Sequence, residues 1–250
     1  MKSYNTLLIE KEASIVTIRL NRPEVYNAFN QIMMEELTDA IKNIPKDRTR
    51  LIVLTGSGPN FCAGADLSWM KTGAPSELLR KMYSEIYSVS CPIVSRVFGK
   101  VFAGGVGLCA ATDIVYAEEG SSFCISEARV GLIPAVMSPF LVEKIGVARF
   151  RELIFTARKF TTSEALQMGL VDFVVPKEGS EDFFKQSIET ILKSGPEALA
   201  ASKLLCRKFA SFDWEGLSSE LADMLTDRRM SAEGQEGVKA FLEKRPPNWK

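Results

Sequence analysis

The chain has 250 residues with 31 basic and 31 acidic side chains, and it contains no histidine. This length fits one globular domain, or one domain with a smaller appendage, and the balanced charge excludes a global positive field for nucleic acid. The missing histidine excludes Ser-His-Asp and Cys-His catalytic systems and histidine-ligated catalytic zinc. Any proton transfer must therefore fall to a carboxylate, lysine, tyrosine or cysteine.

The cysteine pattern and the hydropathy pattern indicate the compartment. The five cysteines are odd in number and scattered, without CxxC pairs, so we expect neither a disulfide framework nor a metal site. No apolar run approaches the roughly 18 residues of a membrane span, and the N-terminus has no apolar leader. We expect a cytoplasmic protein with no membrane or nucleic-acid partner.

Strands alternate with helices in the first three quarters of the chain. Period-2 alternation, period-3.6 spacing and short apolar runs mark these elements. They are a half-buried or edge strand that starts the fold at Ser14–Leu20, a helix at Met33–Ile44, buried strands at Leu51–Leu54 and Pro92–Val97, a packed helix or tight loop at Gly104–Ala111, and a further short strand at Ile114–Ala117. The order predicts an α/β core with parallel strands over residues 1–190.

The remainder, residues 191–250, is predicted to be a helical C-terminal region. Apolar residues recur at helical spacing in this part of the chain, between breaks at Gly195-Pro196, Phe212-Asp213 and Gly234. Helices are expected at Phe184–Leu192, Glu197–Phe209, Trp214–Leu225 and Glu236–Glu243.

Two glycine-bearing loops follow buried strands. Gly56–Asp66 comes after the strand that ends at Leu54, and Phe102–Gly107 comes after the strand that ends near Val97. In an α/β sheet such loops meet at one edge, where each could direct a backbone N–H at the same oxygen and stabilise an enolate. The alternative is that the glycines serve only turns and close helix packing.

A nucleotide-binding interpretation competes with the oxyanion hole. Gly105–Ala110 matches the G-x-G-x-x-A variant of the dinucleotide fingerprint and follows a strand. Glu127 lies near the distance at which a ribose-binding acid is expected, but it follows a loop of its own. This weaker hypothesis describes a non-catalytic protein that binds NAD and has no affinity for CoA.

Glu127 is the candidate acid and base. It lies in Ser126–Pro134, a short polar insertion in apolar surroundings, where partial desolvation would raise the pKa of its carboxyl. Spacing alone instead favours a surface pair between Glu127 and Arg129, or a carboxylate at the start of a helix.

The order of motifs along almost the whole chain resembles the crotonase superfamily of enoyl-CoA hydratases and isomerases. The FCAGADL segment is specific, and the other segments lie in the same order. They are Leu20–Pro23 with Asn27–Ala28, Leu54–Gly56, Phe61–Leu67, Ala103–Gly105, Asp113–Ile114, Phe123, Ser126–Glu127, Gly131–Pro134, Glu164–Ala165, Gly169–Val171 and Phe241–Arg245. The resemblance implies a spiral of ββα units with a helical C-terminal trimerisation region, and a homotrimer or dimer of trimers.

The resemblance also implies roles for individual residues. It places the oxyanion-hole amides on Ala65 and Gly104 and the acid/base on Glu127, with an acyl-CoA as substrate and no further cofactor. The CoA moiety is expected near Arg22, Val25, Ala63 and Asp66, with Phe241 and Lys244 reaching a neighbouring subunit's CoA. The acyl pocket is expected to include Leu67, Trp69, Met70, Gly107 and Pro134.

One departure from the family pattern concerns the reaction. Typical hydratases of the family carry two glutamates, and Gly107 stands at the first of these positions. A double-bond isomerase needs only one carboxylate to carry a proton from C2 to C4, which keeps isomerisation open as an alternative. The segments around Gly104–Leu108 and Ile133–Phe140 nevertheless resemble a subgroup assigned to hydratases of branched or carboxylated enoyl-CoAs, such as methylglutaconyl-CoA hydratase. Hydration is therefore the first expectation.

Overall fold

The computed structural model describes residues 2–45, 48–71 and 76–209, together with 219, 222–223, 225–227 and 229–245. The strands are β1 (Leu7–Glu12), β2 (Ile15–Leu20), β3 (Leu51–Gly56), β4 (Ile93–Val97), β5 (Lys100–Phe102), β6 (Ile114–Glu118), β7 (Ser122–Cys124), β8 (Lys159–Thr161) and β9 (Phe173–Val175). The helices are α1 (Gln31–Lys42), α2 (Leu67–Met70), α3 (Ser76–Ser88), α4 (Gly104–Ala111), α5 (Ser138–Thr156), α6 (Thr162–Met168), α7 (Ser180–Leu192), α8 (Pro196–Phe209) and α9 (Ala232–Leu242). Short 3-10 helices cover Pro23–Val25 and Glu127–Val130.

The larger sheet has the strand order β1-β2-β3-β4-β6-β9. Its first pair is antiparallel and its other pairs are parallel, which confirms the predicted parallel core. Every residue of β3 is buried. Ile52 and Leu54 enter the main core, whereas Leu51 and Val53 pack on the opposite face with residues of α7. A strand covered on both faces requires the continuous apolar run seen in the sequence.

The predicted strands and the first helix are confirmed within two residues at most ends, and Gly104–Ala111 is a helix rather than a loop. The prediction that Ser14–Leu20 starts the fold was wrong. That segment forms β2, which is half-buried but lies between β1 and β3, and β1 is the edge strand. Strand β1 does not alternate between buried and exposed residues, because Leu7 is the only one of its six residues that is buried. The alternation rule therefore did not detect it.

A smaller sheet, β5-β7-β8, lies beside the first and positions the two glycine loops. Cys62, in the loop after β3, forms a parallel bridge with Val101 of β5. Phe29 forms a second bridge with Ala65. These backbone pairs fix the first glycine loop against the strand that leads into α4, so the loops are neighbours in the fold as predicted.

The C-terminal helices follow the predicted order. Helices are present at α8 and α9, whereas the Trp214–Leu225 prediction lies largely outside the described residues, which include helical positions at 219, 222–223 and 225. Helix α9 packs tightly on the 3-10 helix at Glu127, because a side chain at Gly237 would collide with the backbone of Val130. In the described part of the chain, no helix has the length and apolar character needed to cross a membrane.

Candidate active site

A cavity of about 590 Å³ lies between the two glycine loops, the 3-10 helix at Glu127 and helix α9. All three residues expected to be catalytic, Ala65, Gly104 and Glu127, line it. The other lining residues that bear on function are Tyr26, Ala63, Leu67, Met70, Tyr83, Lys100, Phe102, Arg129, Pro134, Met137, Lys159 and Phe241.

The Ala65 amide is held in place while its own N–H stays available. Phe29 N–H donates to the Gly64 carbonyl at 2.9 Å, and Asp66 N–H donates to the Phe29 carbonyl at 3.0 Å. Both peptides that flank Ala65 are thereby fixed. The Ala65 N–H has no acceptor among the described residues, so it can serve a ligand without breaking a protein hydrogen bond.

The Gly104 amide is presented by a strained turn at the start of α4. Ala103 has φ 48° and ψ −124°, a conformation that disfavours L side chains, and its N–H donates to the Cys124 carbonyl at 2.8 Å. Gly104 begins the helix, and in the described structure its N–H also lacks an acceptor. A Cβ on Gly64 would lie 2.9 Å from the Gly104 nitrogen, so the two loops are in close contact. Two free N–H groups thus border one cavity, as an oxyanion hole requires.

Glu127 begins the 3-10 helix and points a buried carboxyl into this site. Its Oε2 atom has no hydrogen-bond partner among the described residues. Burial raises the pKa of the carboxyl from 4.5 to about 7, although the backbone amides of Glu127 and Ser126 partly oppose the shift. The described ion pairs include none between Glu127 and Arg129, so the surface-pair interpretation was wrong.

The raised pKa predicts a pH-dependent stability. Between pH 4.5 and about 7 the folded protein retains a proton that the unfolded chain releases, so rising pH lowers the free energy of unfolding. The slope is at most about 1.4 kcal/mol per pH unit. Glu127→Gln removes the ionisable group and with it this pH dependence. The free energy of unfolding of the variant, relative to that of the parent, should therefore be higher at pH 8 than at pH 5. Urea denaturation at the two pH values checks this, and an equal stability difference at both would contradict it.

Gly107 is packed rather than open to the cavity. A Cβ at this position would lie 2.7 Å from both the Tyr83 hydroxyl oxygen and the Met137 Cβ. Gly107 and Trp69, both expected in the acyl pocket, do not border the cavity. Leu67, Met70 and Pro134 do line it.

The residues expected to hold CoA divide into two groups. Ala63 and Phe241 line the cavity, whereas Arg22, Val25, Asp66 and Lys244 do not. The Arg22 guanidinium donates to the Ala28 carbonyl at 2.6 Å and pairs with the Asp66 carboxylate at 3.2 Å, while Asp66 also caps α2. Both side chains brace the loop that carries Ala65.

Sequence reasoning missed the cations on the cavity wall. Lys100, Arg129 and Lys159 all line the cavity. The Lys100 ammonium lies 4.7 Å from the centre of the Tyr26 ring, and that of Lys159 lies 5.8 Å from the centre of the Phe102 ring. The ion pairs found in the described residues involve none of these three cations, so their charge is available to an anionic ligand.

The glycines of the dinucleotide fingerprint have packing roles. A side chain at Gly105 would collide with the Cys62 carbonyl, and Gly107 faces Met137 and Tyr83. Glu127 lines the cavity beside α4 instead of ending the next strand. The fingerprint match is thus explained by close packing of α4 without a nucleotide.

Comparisons with known proteins agree on one family. The model of the enoyl-CoA hydratase/isomerase family matches residues 10–250. A probable enoyl-CoA hydratase from Rhodobacter capsulatus is 35% identical, with 99% of this chain and 98% of the relative covered. A solved putative enoyl-CoA hydratase/isomerase (crotonase) from Legionella pneumophila is 35% identical with a TM-score of 0.77, covering 99% of this chain and 100% of that one.

A second solved structure, an enoyl-CoA hydratase/isomerase from Pseudoalteromonas atlantica, has a TM-score of 0.88 at 26% identity. It covers 98% of this chain, and this chain covers all of it. The match therefore spans both sheets and the C-terminal helices. The chain belongs to the enoyl-CoA hydratase/isomerase family and has the crotonase fold.

Proposed function

We propose that the protein is an enoyl-CoA hydratase, which adds water across the double bond of a 2-enoyl-CoA thioester. The observation that carries this proposal is a buried carboxyl, Glu127, in the same cavity as two amides without acceptors, Ala65 and Gly104. The similarity to the Rhodobacter relative, a probable enoyl-CoA hydratase, supports hydration over other reactions of the fold. No cofactor beyond the CoA of the substrate is needed.

In this mechanism the thioester oxygen binds between the Ala65 and Gly104 N–H groups. Ionised Glu127 takes a proton from water as the water oxygen bonds to C3, and the electrons of the double bond move to the thioester oxygen as an enolate. The protonated carboxyl then returns the proton to C2, so the net change is the addition of one water. A pKa near 7 lets one carboxyl act in both steps, and each N–H contributes about 3 kcal/mol to lowering the barrier.

Isomerisation of a 3-enoyl-CoA to a 2-enoyl-CoA is the second candidate. Among the described residues that line the cavity, Glu127 is the single carboxylate. The space at Gly107, where a second glutamate would stand, is filled by Tyr83 and Met137. One carboxyl suffices to carry a proton from C2 to C4.

A spectroscopic assay of the purified protein separates the two reactions. Crotonyl-CoA, 3-methylglutaconyl-CoA and 3-hexenoyl-CoA would be supplied separately, and the absorbance of the conjugated thioester would be followed. Loss of absorbance with either conjugated substrate supports the hydratase. Gain with 3-hexenoyl-CoA alone would overturn hydration in favour of isomerisation.

The CoA phosphates are proposed to lie near the cations at the cavity wall. Lys100→Ala should raise KM several-fold and leave kcat nearly unchanged, because the lost charge contacts a part of the substrate that does not react. Steady-state kinetics with crotonyl-CoA check this. Lys11→Ala, at an exposed position of β1, is the matched control. Equal KM values for the Lys100 variant and the parent would contradict the assignment.

Phe241, Lys244 and the cysteines bear on the assembly of the protein and on its compartment. Phe241 is 59% exposed although it borders the cavity, and Lys244 is exposed beside it. This exposure supports a homotrimer, or a dimer of trimers, in which both residues reach a neighbouring CoA. Sedimentation equilibrium tests the assembly, and a monomer at micromolar concentration would contradict it. The five free cysteines support a reducing, cytoplasmic location.

A further inference from the structure

Tyr83 is a polar residue of the cavity wall that has no role in the mechanism described above. It lies on α3, and the whole residue is 1% exposed. Its hydroxyl donates to the Gly104 carbonyl at 2.8 Å, so it contacts the glycine that supplies one oxyanion donor. The side chain also lines the cavity that contains Glu127.

The hydroxyl occupies the space that a side chain at position 107 would need. A Cβ on Gly107 would lie 2.7 Å from the Tyr83 oxygen, so the glycine and the tyrosine are complementary in size. Because the hydroxyl hydrogen is committed to the Gly104 carbonyl, the oxygen retains a lone pair that can accept a hydrogen bond. Burial, and then the charges of neighbouring groups including Glu127, raises the pKa of Tyr83 well above its ordinary value, so the phenol stays neutral.

The second acceptor in the cavity is the Glu127 carboxyl, whose Oε2 lacks a hydrogen-bond partner within the described structure. A water molecule has two hydrogens to donate. With one donated to a carboxylate and the other to a fixed phenol oxygen, its orientation is set and a lone pair is left to attack carbon.

We propose that Tyr83 is the positioning residue for the water that adds to C3, in partnership with Glu127. This inference rests on the proposed hydratase function. The water donates one hydrogen to Glu127 and the other to Tyr83; the first is transferred to Glu127 as the C3–O bond forms and is then delivered to C2. The second stays on the oxygen and becomes the hydroxyl hydrogen of the product, so Tyr83 neither gains nor loses a proton.

Tyr83→Phe tests the proposal with two readouts on one protein. Hydration of crotonyl-CoA should fall about 10- to 100-fold in kcat, the effect of losing one hydrogen bond to a reacting group. Exchange of the C2 protons of butyryl-CoA with D₂O needs Glu127 and the oxyanion hole but no attacking water. The exchange rate of the Tyr83→Phe protein should remain within about threefold of the parent rate if the substitution affects only the positioning of the water.

The outcomes are distinguishable. Equal losses of hydration and exchange would show that Tyr83 only supports Gly104, and unchanged hydration would also overturn the proposal. Absence of hydration in the parent would instead overturn the proposed function. Tyr87→Phe is the matched control, since its hydroxyl lies on the same helix, bonds to Glu143 at 3.2 Å and is not part of the cavity wall. Neither rate should change in that variant.

A second substitution tests the proposal independently, in case the Tyr83→Phe protein does not fold. Gly107→Ala keeps the tyrosine but places a methyl group 2.7 Å from its oxygen and 2.7 Å from the Met137 Cβ, so the hydroxyl and Met137 must both be displaced relative to position 107. Hydration should again fall more than exchange. A Gly107→Ala protein that hydrates crotonyl-CoA at the parent rate, with a parent-like melting temperature, would count against the role of Tyr83.

Discussion

Glu127→Gln should lower the kcat of hydration by about 10²- to 10⁴-fold. The substitution preserves the size of the side chain but leaves an amide, which can neither take a proton from water nor return one to C2. Steady-state kinetics with the substrate that the parent hydrates best would measure the loss. KM should change less than kcat, because the carboxyl acts on the reacting atoms rather than on CoA.

The matched control for this substitution is Glu119→Gln, at an exposed position after β6, which should behave as the parent. A Glu127→Gln enzyme that kept more than a tenth of the parent kcat would rule out the carboxyl as acid and base. Melting curves at pH 7 would accompany the kinetics, since the amide removes a buried ionisable group and should not destabilise the fold.

Gly104→Ala should lower kcat by about 10²- to 10³-fold, the loss expected when one oxyanion donor is displaced. The new methyl group would collide with the Phe29 ring and lie 3.1 Å from the Tyr83 hydroxyl. Since Phe29 is buried, the start of α4 must move and carry the Gly104 N–H with it. Overpacking of this kind costs roughly 1–3 kcal/mol of stability.

Gly195→Ala is the control for that substitution, because its Cβ would meet nothing closer than the Ala198 side chain at 3.7 Å. Kinetics would be recorded at a temperature where both variants are folded by circular dichroism. A destabilised Gly104→Ala enzyme with the parent kcat would show that the Gly104 amide does not stabilise the transition state.

The parts of the fold that could be predicted are those with a strong local pattern. The buried run of β3 and the amphipathic pattern of α1 predicted the ends of their elements to within two residues. Strands β5, β7 and β8 have three residues each, too few to show a period. The three-stranded sheet therefore had no signal, although it is the sheet that orders the two glycine loops.

The part of the candidate site that consists of backbone N–H groups was predictable from the sequence. Glycine clusters after buried strands indicated the two amides, because close approach to a backbone N–H requires small residues. The burial of Glu127 was not predictable from its neighbours along the chain, since residues distant in sequence, including Gly237 of α9, line the same cavity. The local pattern made Glu127 a candidate, and the family resemblance favoured its acid/base role over the alternatives.

Tyr83 and Lys100 illustrate what sequence patterns hide. Tyr83 falls among Leu79, Met82 and Ile86 on the buried face of α3, so it has the spacing of an ordinary core aromatic. Its function depends on the absence of a side chain at Gly107, which lies on another helix. Lys100 belongs to a strand of three residues, and its place at the cavity is a result of tertiary packing.

The central claim is that one carboxyl both takes the proton from water and delivers it to C2, and hydration of crotonyl-CoA in D₂O tests it most directly. Proton transfer by Glu127 alone requires the new C2 deuterium and the C3 oxygen to arrive on the same face of the double bond. The coupling constants of the 3-hydroxybutyryl product, measured by NMR, should therefore show a single syn isomer with one deuterium at C2. An anti product, or a mixture of the two, would show that a second group delivers the proton and would contradict the one-carboxyl mechanism.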